Sequence, residues 1–162
     1  MLSSRTLTLI LGVAFIILDQ WVKLIALVAL KDHSYVLGSQ PLWLDISLSL
    51  NPGAFLSLGA GLAPVLKLLV FVLAVGLVCC WASIWAFKQW QHAPVKACAA
   101  WFIAVGGLSN LIDRVSRDGH VVDYLVLNLG PLHTGVFNLA DIAIMAGAAV
   151  LLVDALTRPG KG

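Results

Sequence analysis

The sequence predicts an all-α membrane protein: four transmembrane helices with a small sheet outside them. Three observations carry this. Of the 162 residues, 60% are hydrophobic and 11% charged, against about 25% charged in a soluble domain. Mean hydropathy is +0.98. The apolar residues fall into blocks long enough to cross a hydrocarbon core, which takes about 20 residues of helix.

The first helix is expected over about 6–30. Thr6 to Leu18 is uncharged, and after Lys23 the chain resumes as "LIALVAL". Arg5 before an apolar run gives this segment the look of a secretory leader. Asp19, Gln20 and Lys23 stand where a small-residue cleavage site belongs, so a retained helix is expected. The second helix, about 64–87, contains the uncharged run Leu68 to Phe87. The third, about 95–113, contains the uncharged run Ala97 to Ile112. The fourth, about 136–156, carries only Asp141 between Val136 and Val153.

With four spans, Lys88 and Lys96 share one side with Arg5, Arg158 and Lys161. The positive-inside rule makes that side cytoplasmic and places both termini there. Two longer connections, about 33–62 and 114–135, then face outward. In the first, "LWLDISLSL" alternates apolar and polar residues between Gly and Pro breaks, which predicts short strands. The second runs into the apolar string "YLVLNLG" and is expected to lie at the membrane interface.

Several function classes drop out. A net charge of +2 offers no basis for binding nucleic acid. Cys79, Cys80 and Cys98 all lie in apolar stretches without metal-ligand spacing, and the four histidines are scattered. No metal and no cofactor are expected.

The polar residues near the membrane segments converge. Asp19 and Lys23 are four apart, Asn110 and Arg114 four apart, Asn138 and Asp141 three apart, so each pair shares a helix face. Nearly all lie toward the outer side. Asp141 stands out, because an ionised carboxylate at the bilayer centre costs roughly 2.5–3.5 kcal/mol on insertion scales. Two carboxylates at close range share one proton. The ionised member can then act as general base on water while the protonated one donates to a carbonyl oxygen. Asp123 ("VVDY") and Asp141 ("LADI") have apolar flanks and no basic neighbour within four residues, and form the candidate dyad.

Simpler roles account for other residues. Asp19 with Lys23 reads as an intrahelical ion pair, and Asp113 beside Arg114 as structural. Arg114 with Asn110 reads as a helix end snorkelling toward headgroups. Asp118–Gly119 reads as a turn, Asp154 as a solvated helix end, and Asp45 as a strand residue facing water. A small non-enzymatic transporter or scaffold would also use buried polar residues. The one-sided depth of these groups speaks against a path across the bilayer, since the second helix carries nothing polar but Ser83 beyond Lys67.

The strings "DQWVK" (19–23), "NPGAF" (51–55), "GGLSNLIDRV" (106–115), "VVDY" (121–124) and "FNLADIAI" (137–144) occur in this order. Together they resemble lipoprotein signal peptidase, the signal peptidase II family of bacteria. The resemblance implies an aspartyl endopeptidase of the inner membrane with four transmembrane helices, cytoplasmic termini, an extracytoplasmic β-cradle and an interfacial helix over the site. It implies prolipoprotein substrates, cut before a cysteine carrying diacylglycerol, in contact with membrane lipids, and inhibition by globomycin-type compounds. A monomer is expected. The family's catalytic dyad maps onto Asp123 and Asp141. Its supporting residues map onto Asn51, Asn110, Arg114 and Asn138, and its structural tether onto Asp19 and Lys23. Two departures bear on the site: Pro52 follows Asn51, which is expected to displace the loop carrying that asparagine, and Ser109 replaces a common glycine, where a side chain is expected to narrow the site or alter helix packing. An inactive relative is disfavoured by the intact dyad.

Overall fold

The computed structural model describes residues 4–52 and 63–157. Among these are helices α1 (Ser4–Ala29), α2 (Pro64–Gln89), α3 (Pro94–Ser116) and α4 (Leu139–Thr157). All four are long and apolar enough to cross a membrane. Strands β1 (Tyr35–Ser39), β2 (Leu42–Asn51), β3 (Val121–Leu129) and β4 (Leu132–His133) form one antiparallel sheet in that order. Proline opens both α2 and α3. There its missing N–H is one the helix would leave unpaired in any case.

The helices expose Ile17, Val28, Leu77, Trp81 and Leu156 outward, as side chains facing lipid rather than water do. α3 is the central helix, with half of its apolar window buried against 17–22% for the others. Small residues let α4 close onto it. A Cβ on Gly106 would strike the Ala140 carbonyl oxygen, and one on Gly147 would strike that of Ala99. The two contacts lie one heptad apart on each helix, a close backbone approach typical of membrane interfaces.

The sheet sits at the end of the bundle where α1 and α3 finish and α4 begins. Val122 and Tyr124 of β3 pack with Ala26 of α1 and with Leu30 just past its end, joined by Ile46, Leu48, Leu125 and Leu139. β2 and β3 pair Leu42 with Leu129 at one end and Asn51 with Val121 at the other. The register shifts between Ile46 and Ser49, a bulge just before Ser49 meets Asp123. Bulges of this kind bend a strand and re-aim side chains.

The segment 114–135, expected at the membrane interface, consists largely of strands. Its first residues finish α3, and Val121–Leu129 and Leu132–His133 are strands. Val121, Val122, Asp123 and Tyr124 are all buried. A strand covered on both faces shows no alternation, which is why its sequence did not read as one. Among the described residues no helix lies between α3 and α4. Residues 53–62 of the expected β-cradle lie outside the described part.

Candidate active site

Asp141 lies in the first turn of α4, not at its centre. Asn138 Oδ1 accepts the Asp141 backbone N–H at 3.0 Å, and Asp141 Oδ2 accepts the Asn138 N–H at 3.0 Å. This is a reciprocal capping box with Asp in place of the usual Glu or Gln. The helix N-terminus also favours negative charge. The next backbone N–H, of Ala140, is taken by Asp19 Oδ1 from α1 at 3.0 Å. The cost of an aspartate in this apolar segment is thus met by hydrogen bonds at the segment's end.

Asp123 reaches the same place from β3 and is 2% exposed. Asn138 Nδ2 donates to its Oδ1 at 2.7 Å, and Asn51 Nδ2 to its Oδ2 at 2.9 Å. Burial pushes the Asp123 carboxyl up to about 6, with the Asp141 charge adding to the rise. The bonds from Asn51 and Asn138 and the Lys23 charge oppose it. Asn138 therefore holds both carboxylates, one through its side-chain amide and one through its backbone.

Asn110 completes the amide frame. Its Nδ2 donates to Asp141 Oδ1 at 2.8 Å. Its Oδ1 accepts from Asn138 Nδ2 at 3.1 Å and from Lys23 Nζ at 2.8 Å. Arg114 is half-buried beside this frame. Its Nη1 donates to the Asn110 carbonyl at 3.3 Å, and its charge interacts with Asp141, Asp123 and Asp113. Its Nε is buried and has no hydrogen-bond partner among the described residues.

Beside this frame lies a second buried cluster. Lys23 Nζ is 2.8 Å from Asp19 Oδ2 and 3.1 Å from Asp113 Oδ2, with all three side chains fully buried. Asp113 also pairs with Arg117 and accepts the Val122 N–H at 3.0 Å and Gln20 Nε2 at 2.8 Å. Asp113 forms its ion pairs with Lys23 and Arg117 rather than with the adjacent Arg114. The Asp19–Lys23 pair forms as expected and joins α1 to α3 and α4.

The two departures from the family pattern find places here. Ser109 bonds across to α1. Its hydroxyl donates to Asp19 Oδ2 at 2.6 Å and accepts from Gln20 Nε2 at 3.1 Å. Pro52 does not pull Asn51 away from Asp123, which it still reaches. Gln20 and Arg117 went unassigned in the sequence. Each sits one turn from a residue that was singled out, Gln20 from Lys23 and Arg117 from Asp113, and that spacing was the available signal. Asp154, expected to be solvated, pairs with Lys96 at 3.2 Å. Asp45 accepts from Asn128 at 2.9 Å rather than facing water alone.

Comparison with known proteins agrees with this geometry. The family model described as signal peptidase (SPase) II matches residues 11–157. A lipoprotein signal peptidase of Neisseria meningitidis serogroup C (strain 053442) is 32% identical over 99% of this chain and 95% of its own. One from Ralstonia nicotianae (strain ATCC BAA-1114 / GMI1000) is 33% identical over 91% and 83%. A solved bacterial membrane enzyme superposes with a TM-score of 0.75 at 25% identity, covering 94% of each chain. A second gives 0.74 at 24% identity over 96% and 93%, a likeness of fold. With four membrane helices, one sheet and two carboxylates joined by Asn138, and with the family match running from α1 to the end of α4, the chain belongs to the signal peptidase II family.

Proposed function

We propose that Asp123 and Asp141 are the catalytic dyad of an aspartic endopeptidase that removes signal peptides from prolipoproteins, and that the whole chain is one integral membrane peptidase domain. Asn138, which binds both carboxylates, is the observation that carries the assignment. The pair holds one proton. Asp123, with its carboxyl raised to about 6, carries it. Ionised Asp141, at the α4 N-terminus, takes a proton from water as the water attacks the scissile carbonyl. Asp123 donates its proton to the carbonyl oxygen. Collapse of the tetrahedral intermediate sends a proton to the leaving amine and breaks the C–N bond. Arg114 and Asn110 line the site as positioning groups, and Asn51 holds Asp123 from the sheet side.

The substrate is a prolipoprotein whose cysteine carries diacylglycerol. Its acyl chains stay in the bilayer, so the bond to be cut lies near the interface, and a dyad at the helix ends meets it there. The enzyme lies in the bacterial inner membrane with the sheet and dyad outward and both termini cytoplasmic. Arg5, Lys88 and Lys96 at the opposite helix ends support this orientation. The enzyme works as a monomer, since one chain supplies both carboxylates and the three amides that hold them, and needs no second copy to complete the site. A globomycin-type inhibitor would compete for the same site.

Two measurements test the assignment. A membrane-impermeant maleimide should label Ser39→Cys in intact cells and Lys88→Cys only after permeabilisation; the reverse would invert the orientation. kcat/KM, which reports the free enzyme, should fall as pH rises past about 6 and Asp123 loses its proton. A kcat/KM rising through that range would make Asp123 the base instead.

A further inference from the structure

We infer that Lys23 is a positioning residue for the dyad and not only a helix tether: it fixes the Asn110 amide so that its N–H faces Asp141. This rests on the dyad assignment. An ammonium has three donors and no acceptor. In this structure all three are used, on Asp19 Oδ2, Asp113 Oδ2 and Asn110 Oδ1. The two aspartates anchor the ammonium to α1 and α3, and its third donor meets the Asn110 oxygen at 2.8 Å. A donor-only group there admits only one orientation of the amide, with oxygen toward Lys23 and nitrogen toward Asp141, 2.8 Å away. The second bond into the same oxygen, from Asn138 Nδ2, links this orientation to the amide that holds Asp123.

Lys23 therefore acts on both carboxylates without touching either. It orients Asp141 through Asn110, and its charge favours ionised Asp123. Among the described residues, the charged groups that act on Asp123 are Asp141 on α4, Arg114 on α3 and Lys23 on α1, with the Tyr124 phenol its titratable neighbour on β3; Asn51 on β2 and Asn138 before α4 are its hydrogen-bond donors. Lys23 and Arg114 are the only cations among them. A tether alone would not need the third bond, because the ion pairs already join α1 to α3.

The test compares Lys23→Met, the charge-neutral pair Lys23→Met/Asp19→Asn, and Ser109→Gly with wild type in detergent. The double variant leaves no excess charge in the cluster, which protects folding. Cleavage of a diacylglyceryl-modified prolipopeptide is followed against pH, with folded protein counted by thermal unfolding. Lys23→Met should lower kcat about 10- to 100-fold with KM little changed. It should also move the limb of kcat/KM that lies near 6 upward, since the Lys23 charge favours ionised Asp123. The double variant should show the same kcat loss. Ser109→Gly removes a bond of the tether and should lower thermal stability while leaving the limb in place. If both Lys23 variants kept the wild-type kcat and limb per folded molecule, Lys23 would be a tether alone. In that event inactive Asp123→Asn and Asp141→Asn enzymes would leave the dyad standing, whereas active ones would remove the dyad itself.

Discussion

Asp113 and Asp123 are buried aspartates ten residues apart, one closing α3 and one on β3, and their surroundings differ in kind. Asp113 meets two cations, Lys23 and Arg117, a backbone N–H and the Gln20 amide. Asp123 is held by the amides of Asn138 and Asn51, and among the described residues no cation pairs with it directly. A carboxylate matched by buried cations serves packing. One held by amides in a dry site can change its proton near neutrality, which is what acid–base chemistry needs. The protein links the two through Lys23, Asn110 and Asn138.

The contrast predicts different losses. The largest falls on the dyad: Asp141→Asn should lower kcat by about 10²–10⁴-fold, the usual range for a general acid–base group, with the fold intact by thermal unfolding. Asp113→Ala should do the opposite. It leaves Lys23 and Arg117 short of a partner in a buried site and should cost about 3–5 kcal/mol of stability, read by detergent unfolding. A dyad-sized kinetic loss in folded Asp113→Ala would erase the distinction between the two carboxylates.

Smaller effects belong to parts remote from both. Gly147→Ala forces a methyl against the Ala99 carbonyl and should cost about 1–3 kcal/mol. The pH dependence of cleavage should be unchanged. Lys96→Ala removes a partly exposed pair with Asp154 and should change stability by less than about 1 kcal/mol.

The sequence shows the helices more plainly than the sheet. A run such as Leu68 to Phe87 has few fates other than spanning a membrane, so its period need not be read at all. β3 is different. "VVDYLVLNL" is apolar on both faces, and its identity as a strand depends on β2, some 70 residues earlier in the chain. The dyad was legible because apolar flanks around a lone aspartate are unusual, and the ordered strings of the family fixed the pair. The cap formed by Asn138 and Asp141 was legible in principle, as an Asn-x-x-Asp at a helix start, yet their spacing suggested only a shared face. The Lys23 cluster was half visible. Its i,i+4 pair lies in one helix, but Ser109, Asp113 and Arg117 come from another, and no local pattern announces a contact between helices.

The most direct test of the dyad is cleavage of a diacylglyceryl-modified prolipopeptide by the purified protein in detergent. Wild type, Asp123→Asn and Asp141→Asn would be run together, with EDTA in a parallel set. Cleavage by wild type alone, unaffected by EDTA, is the predicted result. Cleavage by both variants at the wild-type rate would contradict the assignment and move the chemistry to Asp113 or Asp19.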